Sequence, residues 1–281
     1  MSNTLEQEFL QALLSDLEKD RLVLPTLPEV ALKVREAIDD EDASAPKIAK
    51  VIATDAALSA RLIQVVNSPL LRASKAIDSL DAAITRMGLK MTRNLVTSMV
   101  MEQMFQATSD VTDRRLRAVW EHSTQVAAIS HALAAQFTRL PPDQAMLAGL
   151  VHDIGTLPIL TRAEDVPELL EDEATLDRII AQAHGRIGEA ILKRWGFSPE
   201  MVAVATGHED LRHDGGPKAD FVDVVIVANL QSYIGTDHPL TKVDWSKVPA
   251  FSKLGISAEV NVVDVDEISA NIEAVKAALT V

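Results

Sequence analysis

Apolar residues recur along most of the chain at intervals of three and four positions, which is the spacing of one face of an α-helix. In the first segment, four apolar residues follow this interval and predict an amphipathic helix that ends near Asp20. They are Leu5, Phe9, Leu13 and Leu17. Similar patterns predict further helices at about 29–39, 45–53, 56–67, 80–87, 90–106, 112–138, 143–152, 175–195, 199–208, 218–234 and 267–279. Strand-like alternation is confined to one short candidate, 259–265, so the pattern predicts an all-α protein.

Polar residues and prolines mark the ends of several predicted helices. Asp55 precedes an apolar-periodic segment and is a predicted N-cap, since its carboxylate can accept a hydrogen bond from a free backbone N–H group. Asn67 follows the same segment and is predicted to end it. Ser198 before Pro199 is a second start signal, because proline in the first helical position gives up no hydrogen bond. We interpret these residues as structural rather than catalytic.

The predicted helices divide the chain into four parts. These are an N-terminal helix at 1–21, a helical lobe at 22–110, a second helical lobe at 111–235, and an extension with a terminal helix at 236–281. The boundary between the lobes is placed near 109–114, where polar residues interrupt the apolar pattern. With 281 residues and a 47% apolar composition, the chain can bury a sizeable core. The expected architecture is a compact helical bundle in two lobes.

The charge and the amino-acid inventory exclude several classes of function. A formal net charge of -14 argues against general binding to nucleic acid or to an anionic membrane, because such a surface repels polyanions. No apolar run approaches the roughly 18–20 residues that cross a bilayer, and the first segment lacks the basic start and apolar middle of a secretion signal. Cysteine is absent, so any metal must be held by nitrogen and oxygen ligands. We expect a soluble, cytoplasmic protein.

His152 and Asp153 lie next to each other in an apolar segment, which predicts that both side chains are buried. Adjacent ionisable groups inside a protein need partners that offset the loss of hydration. One interpretation is a metal site, because neighbouring helical residues are about 100° apart and can converge on one cation. The other interpretation is a buried histidine–aspartate hydrogen bond that braces the helix. The dipeptide alone does not decide between the two.

Three further histidines favour the metal interpretation. His122, His184 and His208 each fall in a separate predicted helix, and helical bundles build metal sites from one ligand per helix. His122 begins a face that continues through apolar residues, so it is expected to point inward. Each of these histidines taken singly could also be a core residue that is hydrogen-bonded to a carbonyl group. Together with His152 and Asp153 they form a candidate site for a divalent metal.

The remaining histidines are expected to lie at the surface. His131 is nine residues after His122, about half a turn away around the helix, and is predicted to point outward. His213 and His238 lie in polar or proline-adjacent loops, where exposure to solvent is the simpler expectation. None of the three is included in the candidate site.

The order of these residues resembles the HD phosphohydrolase superfamily, and in particular its HD-GYP branch. The matching positions are His122, His152 to Gly155, His184, Gly188, Trp195, His208, Glu209 and Asp214 to Pro217. The N-terminal half is similar to the HDOD family. Its matching positions are Leu24, Pro25, Leu27, Pro28, Ile48, Ala49, Ile52, Asp55, Leu58, Leu62, Asn67, Ser68, Ile77, Ala83, Ile84 and Gly88. The resemblance spans about 22–235 and implies an HD-like fold for the second lobe of a bacterial-type protein.

The resemblance implies a metal ligand set, and the sequence departs from it at three points. The implied ligands are His122, His152, Asp153, His184 and His208, and such a set suits Fe, Mn, Ni or Zn better than Ca. Where the family has a final aspartate ligand, this chain has Asn229. Thr156 stands in the place of a lysine, and Gly207 in the place of a second histidine. Losing a carboxylate and a cation weakens the stabilisation of phosphoryl transfer, so little or no phosphodiesterase activity is expected.

Three functions stay open at this point. The preferred one is a signalling and regulatory module that binds other regulatory proteins and has no assigned catalytic residue. The alternative is a metal-dependent phosphohydrolase acting on a nucleotide or cyclic dinucleotide, in which Asp153 would be the catalytic residue. A second alternative is a sensor that binds a nucleotide without hydrolysing it. The oligomeric state cannot be read from the sequence.

Overall fold

The computed structural model describes residues 2–68, 71, 76–107 and 109–279, and no β-strand occurs in these ranges. The α-helices are α1 Ser2–Glu18, α2 Glu29–Asp39, α3 Ala45–Ile52, α4 Ala56–Val66, α5 Leu80–Met87, α6 Leu89–Met101, α7 Asp110–Phe137, α8 Pro142–Val151, α9 Thr156–Ala163, α10 Pro167–Glu171, α11 Glu173–Arg194, α12 Pro199–Gly207, α13 Phe221–Ser232, α14 Pro249–Leu254 and α15 Asp266–Leu279. Short 3-10 helices occur at Glu102–Met104, Pro239–Lys242, Trp245–Lys247 and Val262–Asp264. The predicted all-α fold class is confirmed.

The helices that periodicity predicts are present, and the bounds of α2 and α5 agree with the prediction to the residue. The prediction missed α10 and α14, because helices of five and six residues are too short to show a repeating apolar face, and it missed α9, because six of its eight residues are buried and leave no polar face for contrast. The predicted strand at 259–265 was wrong. Its backbone does not pair with another strand: the Val262 N–H donates to the side-chain oxygen of Gln231, and the Gln231 amide donates to the carbonyl of Val260.

The predicted helix ends are mostly confirmed. Asp55 caps α4, and its carboxylate accepts a hydrogen bond of 2.9 Å from the Leu58 N–H. Asn67 ends α4, and its side chain bonds to both the N–H and the carbonyl of Ile77. Ser198 precedes α12 as expected, although its hydroxyl forms no capping hydrogen bond. These contacts give the polar residues at the helix ends structural roles, so no catalytic role is needed to explain them.

Helix α7 is the central element of the fold. It is 28 residues long and packs against α8, α9, α13 and α15. Helices α11 and α12 pack against each other, and α12 also contacts α8 and α13. From the first half of the chain, α6 packs against α8. The buried apolar residues form one continuous cluster, and the predicted division into lobes at residue 110 stays a prediction.

Helix α15 changes the environment of His131, which was predicted to point outward into solvent. His131 is instead partly buried, and its Nδ1 lies 2.9 Å from the side-chain oxygen of Asn271 on α15. The sequence of α7 alone identifies the side of the helix that faces away from the core. It does not show that the terminal helix covers this side, and this is why the prediction was wrong.

The burial of His131 predicts an acid-sensitive contribution to stability. Burial lowers the pKa of His131, because the protein interior disfavours the charged imidazolium. The unfolded chain binds a proton on this histidine below about pH 6.5, while the folded chain resists it, so stability falls as the pH drops through that value. We expect His131→Gln to lose less free energy of unfolding than the wild type between pH 7 and pH 5, as measured by urea denaturation. An equal loss in both proteins would contradict the assignment.

Within the described ranges, no helix combines the length and the apolar character that a bilayer crossing requires.

Candidate metal centre

The five side chains that the sequence singled out meet in one place. His122 comes from α7, His184 from α11, and His208 directly follows α12. His152 and Asp153 lie in the turn between α8 and α9. The Nε2 atoms of His122 and His152 are 3.3 Å apart, and those of His184 and His208 are 3.2 Å apart. Helices that are distant in sequence therefore contribute to a single cluster of imidazoles.

Asp153 lies between two pairs of histidines. Its Oδ2 is 3.3 Å from the Nε2 of His152 and 3.8 Å from that of His122. Its Oδ1 is 3.5 Å from the Nε2 of His184 and 3.3 Å from that of His208. Each oxygen thus faces one pair, and the carboxylate is shared by two half-sites.

Backbone carbonyl groups fix the tautomer of three of the imidazoles. The Nδ1 of His152 lies 2.6 Å from the carbonyl oxygen of Gly149. The Nδ1 atoms of His184 and His208 contact carbonyl oxygens in the preceding turns of their helices, at 2.8 and 3.0 Å. A carbonyl oxygen can only accept, so each Nδ1 carries the hydrogen and each neutral ring has a lone pair on Nε2. Such hydrogen bonds are the usual support of metal-binding histidines.

The cluster fits a divalent cation. The Nε2 atoms of His184 and His208 lie 3.2 Å apart, and if neither Nε2 carries a hydrogen their two lone pairs repel each other unless a cation lies near both. Imidazole nitrogens and one carboxylate are ligands that Fe, Mn, Ni and Zn accept. Because the Nδ1 atoms of His152, His184 and His208 already carry their hydrogens, a hydrogen bond from Nε2 to Asp153 requires a positively charged ring, and one carboxylate offsets the charge of only one such ring. The geometry therefore matches the metal interpretation better than the hydrogen-bond interpretation.

The protonation states suit cation binding. Burial by itself would raise the pKa of Asp153, but the charges and hydrogen bonds of His152 and His208 outweigh this effect and hold it well below the ordinary range. Burial, together with the nearby His152, lowers the pKa of His122 to about 4. At neutral pH the carboxylate is ionised and His122 is neutral, and metal ligands must be in these states.

The site opens to solvent on one side. The side chain of His152 is fully buried, and those of His208 and His184 are 2% and 6% exposed. The side chains of His122 and Asp153 are 20% and 21% exposed. A ligand or an ion therefore reaches the centre past His122 and Asp153.

Sequence reasoning missed Tyr233, which lies beside this opening. Its hydroxyl is 3.4 Å from the Nε2 of His122, and its ring stacks on the His122 ring with a centroid distance of 5.1 Å. Burial and the charge of Asp153 raise the pKa of Tyr233, so the hydroxyl stays protonated and can donate a hydrogen bond. Tyr233 is the one tyrosine of the chain and lies four residues after Asn229, a helical spacing that could have indicated its position.

His238 was predicted to be an exposed loop residue, and this was wrong. Its ring stacks on Tyr233 with a centroid distance of 3.6 Å, so that three aromatic rings are stacked in a row from His238 through Tyr233 to His122. Glu209 lies on another side of the cluster, with a carboxylate oxygen 3.9 Å from the Nε2 of His184. These residues surround the opening and add one half-exposed carboxylate to it.

His213 was also predicted to be exposed, but it is partly buried because it bonds to a helix cap. Its Nε2 is 2.9 Å from a carboxylate oxygen of Asp220, which caps α13 in a reciprocal arrangement with Asp223. Asp223 is fully buried and is neutralised by Lys253 at 3.1 Å. Since a lysine already supplies the cation, we interpret this cluster as structural.

Asn229 occupies α13 one turn before Tyr233 and is 2% exposed. Its side-chain oxygen is buried and accepts no hydrogen bond from any residue that the structure describes. Leaving such an acceptor without a partner costs about 1–3 kcal/mol. A cation or a hydrogen-bond donor near this atom would offset that cost.

Gly155 sets the distance between the two halves of the centre. A Cβ atom on this residue would overlap the carbonyl oxygen of His184, and it would lie 2.6 Å from the backbone nitrogen of Gly188. The backbone after Asp153 therefore contacts the backbone of α11 directly, and only glycine permits this contact. The close approach brings Asp153 near the imidazole of His184.

Comparison with known proteins agrees with this fold. A protein from Shewanella amazonensis SB2B, described as a candidate metal-dependent phosphohydrolase, has a crystal structure that is 33% identical and covers 100% of both chains with a TM-score of 0.87. An HDOD domain protein of unknown function from Geobacter sulfurreducens shares the fold at 23% identity and a TM-score of 0.63, over 98% of this chain and 96% of that one.

An uncharacterised protein of Treponema pallidum is 27% identical over 222 residues, which cover 74% of this chain and 42% of that protein. The chain thus spans less than half the length of this relative. The HDOD domain model matches residues 24–211, about two thirds of the sequence and all five of the candidate ligands. The chain belongs to the HDOD domain family.

Proposed function

We propose that this protein is a signalling and regulatory HDOD module that binds a divalent metal at its histidine cluster and has weak or no phosphohydrolase activity. The observation that supports metal binding is the position of Asp153, with each carboxylate oxygen facing two Nε2 atoms. The ligands would be His122, His152, Asp153, His184 and His208. Other regulatory proteins would be its partners.

The charge of the ligand set limits the number of divalent ions that the site can hold. Four neutral imidazoles and Asp153 contribute one negative charge, and Glu209 is a half-exposed carboxylate at the edge of the cluster. Two divalent cations would leave an excess positive charge in a largely buried site, which is costly. Asn229 supplies no charge to offset it. The set therefore suits a single metal ion better than two.

A divalent ion, when bound, supplies Lewis acidity to a phosphoryl oxygen. The chain itself would contribute the hydroxyl of Tyr233 as a hydrogen-bond donor at the open side of the site. Its other contribution would be to orient the imidazoles through the backbone carbonyl groups of Gly149 and of helices α11 and α12. Thr156 brings no positive charge to meet a phosphate.

Replacing Asn229 with aspartate is expected to raise the affinity for Mn²⁺ or Zn²⁺ by about tenfold or more, since it adds a charged oxygen ligand. Isothermal titration calorimetry of metal-stripped protein measures the change. Gln11→Glu adds the same charge on the exposed side of α1 and should leave the affinity unchanged. If Asn229→Asp binds metal no better than the wild type, Asn229 does not lie beside the centre.

The second candidate function is a metal-dependent phosphohydrolase. It is favoured by the position of Asp153 between the two histidine pairs and by the description of the Shewanella relative. Phosphodiesterase assays with bis-p-nitrophenyl phosphate, cyclic dinucleotides and added Mn²⁺ or Fe²⁺ separate the two functions. Our proposal expects little or no turnover above that of Asp153→Ala. Efficient turnover that disappears in Asp153→Ala would make the enzyme the correct function.

A further inference from the structure

A second cavity lies away from the metal centre, between the first half of the chain and the second. Its volume is about 410 Å³, which falls within the usual range for small-molecule sites. Residues of α2 and α6 form one wall, and the first turns of α8 and α12 form the other. The metal ligands His152 and His208 follow the opposite ends of α8 and α12, roughly 14 Å away along each helix. The two sites are therefore distinct.

The cavity is positively charged although the protein as a whole is acidic. Arg35, Lys90 and Arg93 line it, and Asp143 is the one carboxylate among the lining residues. Asn94 donates a hydrogen bond of 2.6 Å to Asp143, which ties up part of that negative charge. Asp39, outside the lining, pairs with Arg93 at 3.6 Å, so three cations face two anions, and this excess of positive charge in a chain of net charge -14 favours a negatively charged ligand.

The polar residues of α6 that line the cavity share one face of the helix. Lys90, Arg93, Asn94 and Thr97 follow at the spacing i, i+3, i+4 and i+7. Asn94 and Thr97 are 8% and 6% exposed, so this face is polar even where it is buried. A helix face turned toward the interior is normally apolar. Asn94 and Thr97 already donate hydrogen bonds to Asp143 and to the carbonyl of Arg93, so the groups that this face offers to a ligand are the cationic ends of Lys90 and Arg93.

Three helices begin at the cavity, and this adds to the positive potential. Lys90 lies in the first turn of α6, Asp143 in the first turn of α8, and Ser198 directly precedes α12. Each helix start carries the equivalent of about half a positive charge through its free N–H groups. The hydroxyl of Ser198 forms no capping bond with α12. The helix starts and the three basic side chains together resemble the surroundings of bound phosphate groups.

The other side of the cavity is apolar and can accommodate the body of an organic ligand. Met91, Leu147, Phe197 and Met201 line this side. Methionine side chains adapt to flat or irregular ligands, and Phe197 can pack against a ring. An inorganic anion alone would leave this apolar surface uncovered.

We propose that this cavity binds a small organic phosphate of mononucleotide size. The phosphate contacts Arg35, Lys90 and Arg93, and the base packs against the apolar side. The assignment does not depend on metal at the histidine cluster.

Calorimetric titration of metal-free protein with 5′-AMP and 5′-GMP tests this proposal, with adenosine and guanosine as uncharged controls. At least one nucleotide should bind, and its nucleoside should bind at least about tenfold more weakly, the scale of one charge-assisted hydrogen bond. Lys90→Glu should weaken nucleotide binding at least about tenfold. This residue is exposed, and a glutamate is favourable in the first turn of α6, so the variant should fold. Lys50→Glu, at an exposed position of α3 that does not line the cavity, should bind like the wild type.

Three outcomes would overturn the proposal. The first is that neither nucleotide binds the wild type. The second is that Lys90→Glu binds as well as the wild type does. The third is binding that survives Lys90→Glu and disappears in His152→Ala, which would place the nucleotide at the metal centre. Because the titration uses metal-free protein, failure of the proposed metal binding would leave this result unaffected.

Discussion

Replacing Asp153 with asparagine is expected to weaken the binding of Mn²⁺ or Zn²⁺ by about a hundredfold or more. The substitution keeps the shape of the side chain but removes the charge that both histidine pairs face. Changes in the hydrogen bonds around metal ligands already cost 10–100-fold, so losing the one charged ligand should reach at least the upper end of that range. Titration calorimetry of metal-stripped wild-type and variant proteins measures the difference.

Asp165→Asn is the matched control for this experiment. Asp165 is exposed in the turn after α9, and its replacement removes the same charge outside the histidine cluster. The control should bind metal like the wild type. If Asp153→Asn also does, the carboxylate is not a ligand and the cluster is a hydrogen-bonded core.

Replacing Gly155 with alanine is expected to lower the free energy of unfolding by about 3 kcal/mol, at the upper end of the usual cost of overpacking. The backbone of Gly155 is helical, so alanine adds no conformational strain there. The cost comes from the added methyl group, which overlaps the backbone of α11 at His184 and Gly188. The backbone of α11 cannot move away from the methyl group by a simple bond rotation, as a side chain can. Urea denaturation measures the loss, and metal affinity should fall with it because His184 is displaced from Asp153.

Gly188→Ala provides the comparison, because its Cβ would lie 3.1 Å from the side-chain methyl of Ala205 and at an ordinary contact distance of 3.5 Å from the backbone nitrogen of Gly155. The higher helix propensity of alanine offsets part of that milder contact, so this variant should change stability by less than about 1 kcal/mol. If Gly155→Ala is as stable as Gly188→Ala, the close approach of the two backbones is not what holds the centre together.

Much of the fold was predictable because long amphipathic helices repeat their apolar face many times. Helix α7 and helix α11 each contain enough turns for the pattern to be unmistakable. Helix α9 has eight residues, six of them buried, and shows no polar face to contrast with an apolar one. The segment around Val262 resembled a strand because its valines alternate with polar residues. The backbone of this segment instead forms hydrogen bonds with the side chain of Gln231. The local sequence pattern does not indicate such a tertiary contact.

The candidate ligands were predictable for a different reason. His122 begins an apolar helix face, which predicts an inward direction, and His184 and His208 each fall in a separate predicted helix, as the ligands of a metal site in a helical bundle do. The surroundings of the centre were not predictable, because they depend on how segments distant in sequence pack. His238 follows α13 in a loop, and only the fold brings it onto Tyr233. His131 was misplaced for the same reason, since α15 covers it from more than a hundred residues away.

The second cavity also could not be read from the sequence. The polar spacing of Lys90, Arg93, Asn94 and Thr97 is visible on α6, but it is equally typical of a solvated helix face. Only the packing of α6 near the starts of α8 and α12 turns this face into a cavity wall. Conversely, Asn229 was noticed only through the family resemblance, and its unpartnered oxygen is a feature of the structure alone.

The most direct test of metal binding is the position of a bound ion in a crystal. Crystals grown with Zn²⁺ and measured at energies on both sides of the zinc absorption edge reveal the ion by its anomalous scattering. We predict a peak about 2.0–2.2 Å from an Asp153 carboxylate oxygen and from at least two of the histidine Nε2 atoms. Crystals that show no anomalous peak among these side chains, with zinc absent or bound only elsewhere, would contradict the assignment of the cluster as a metal centre.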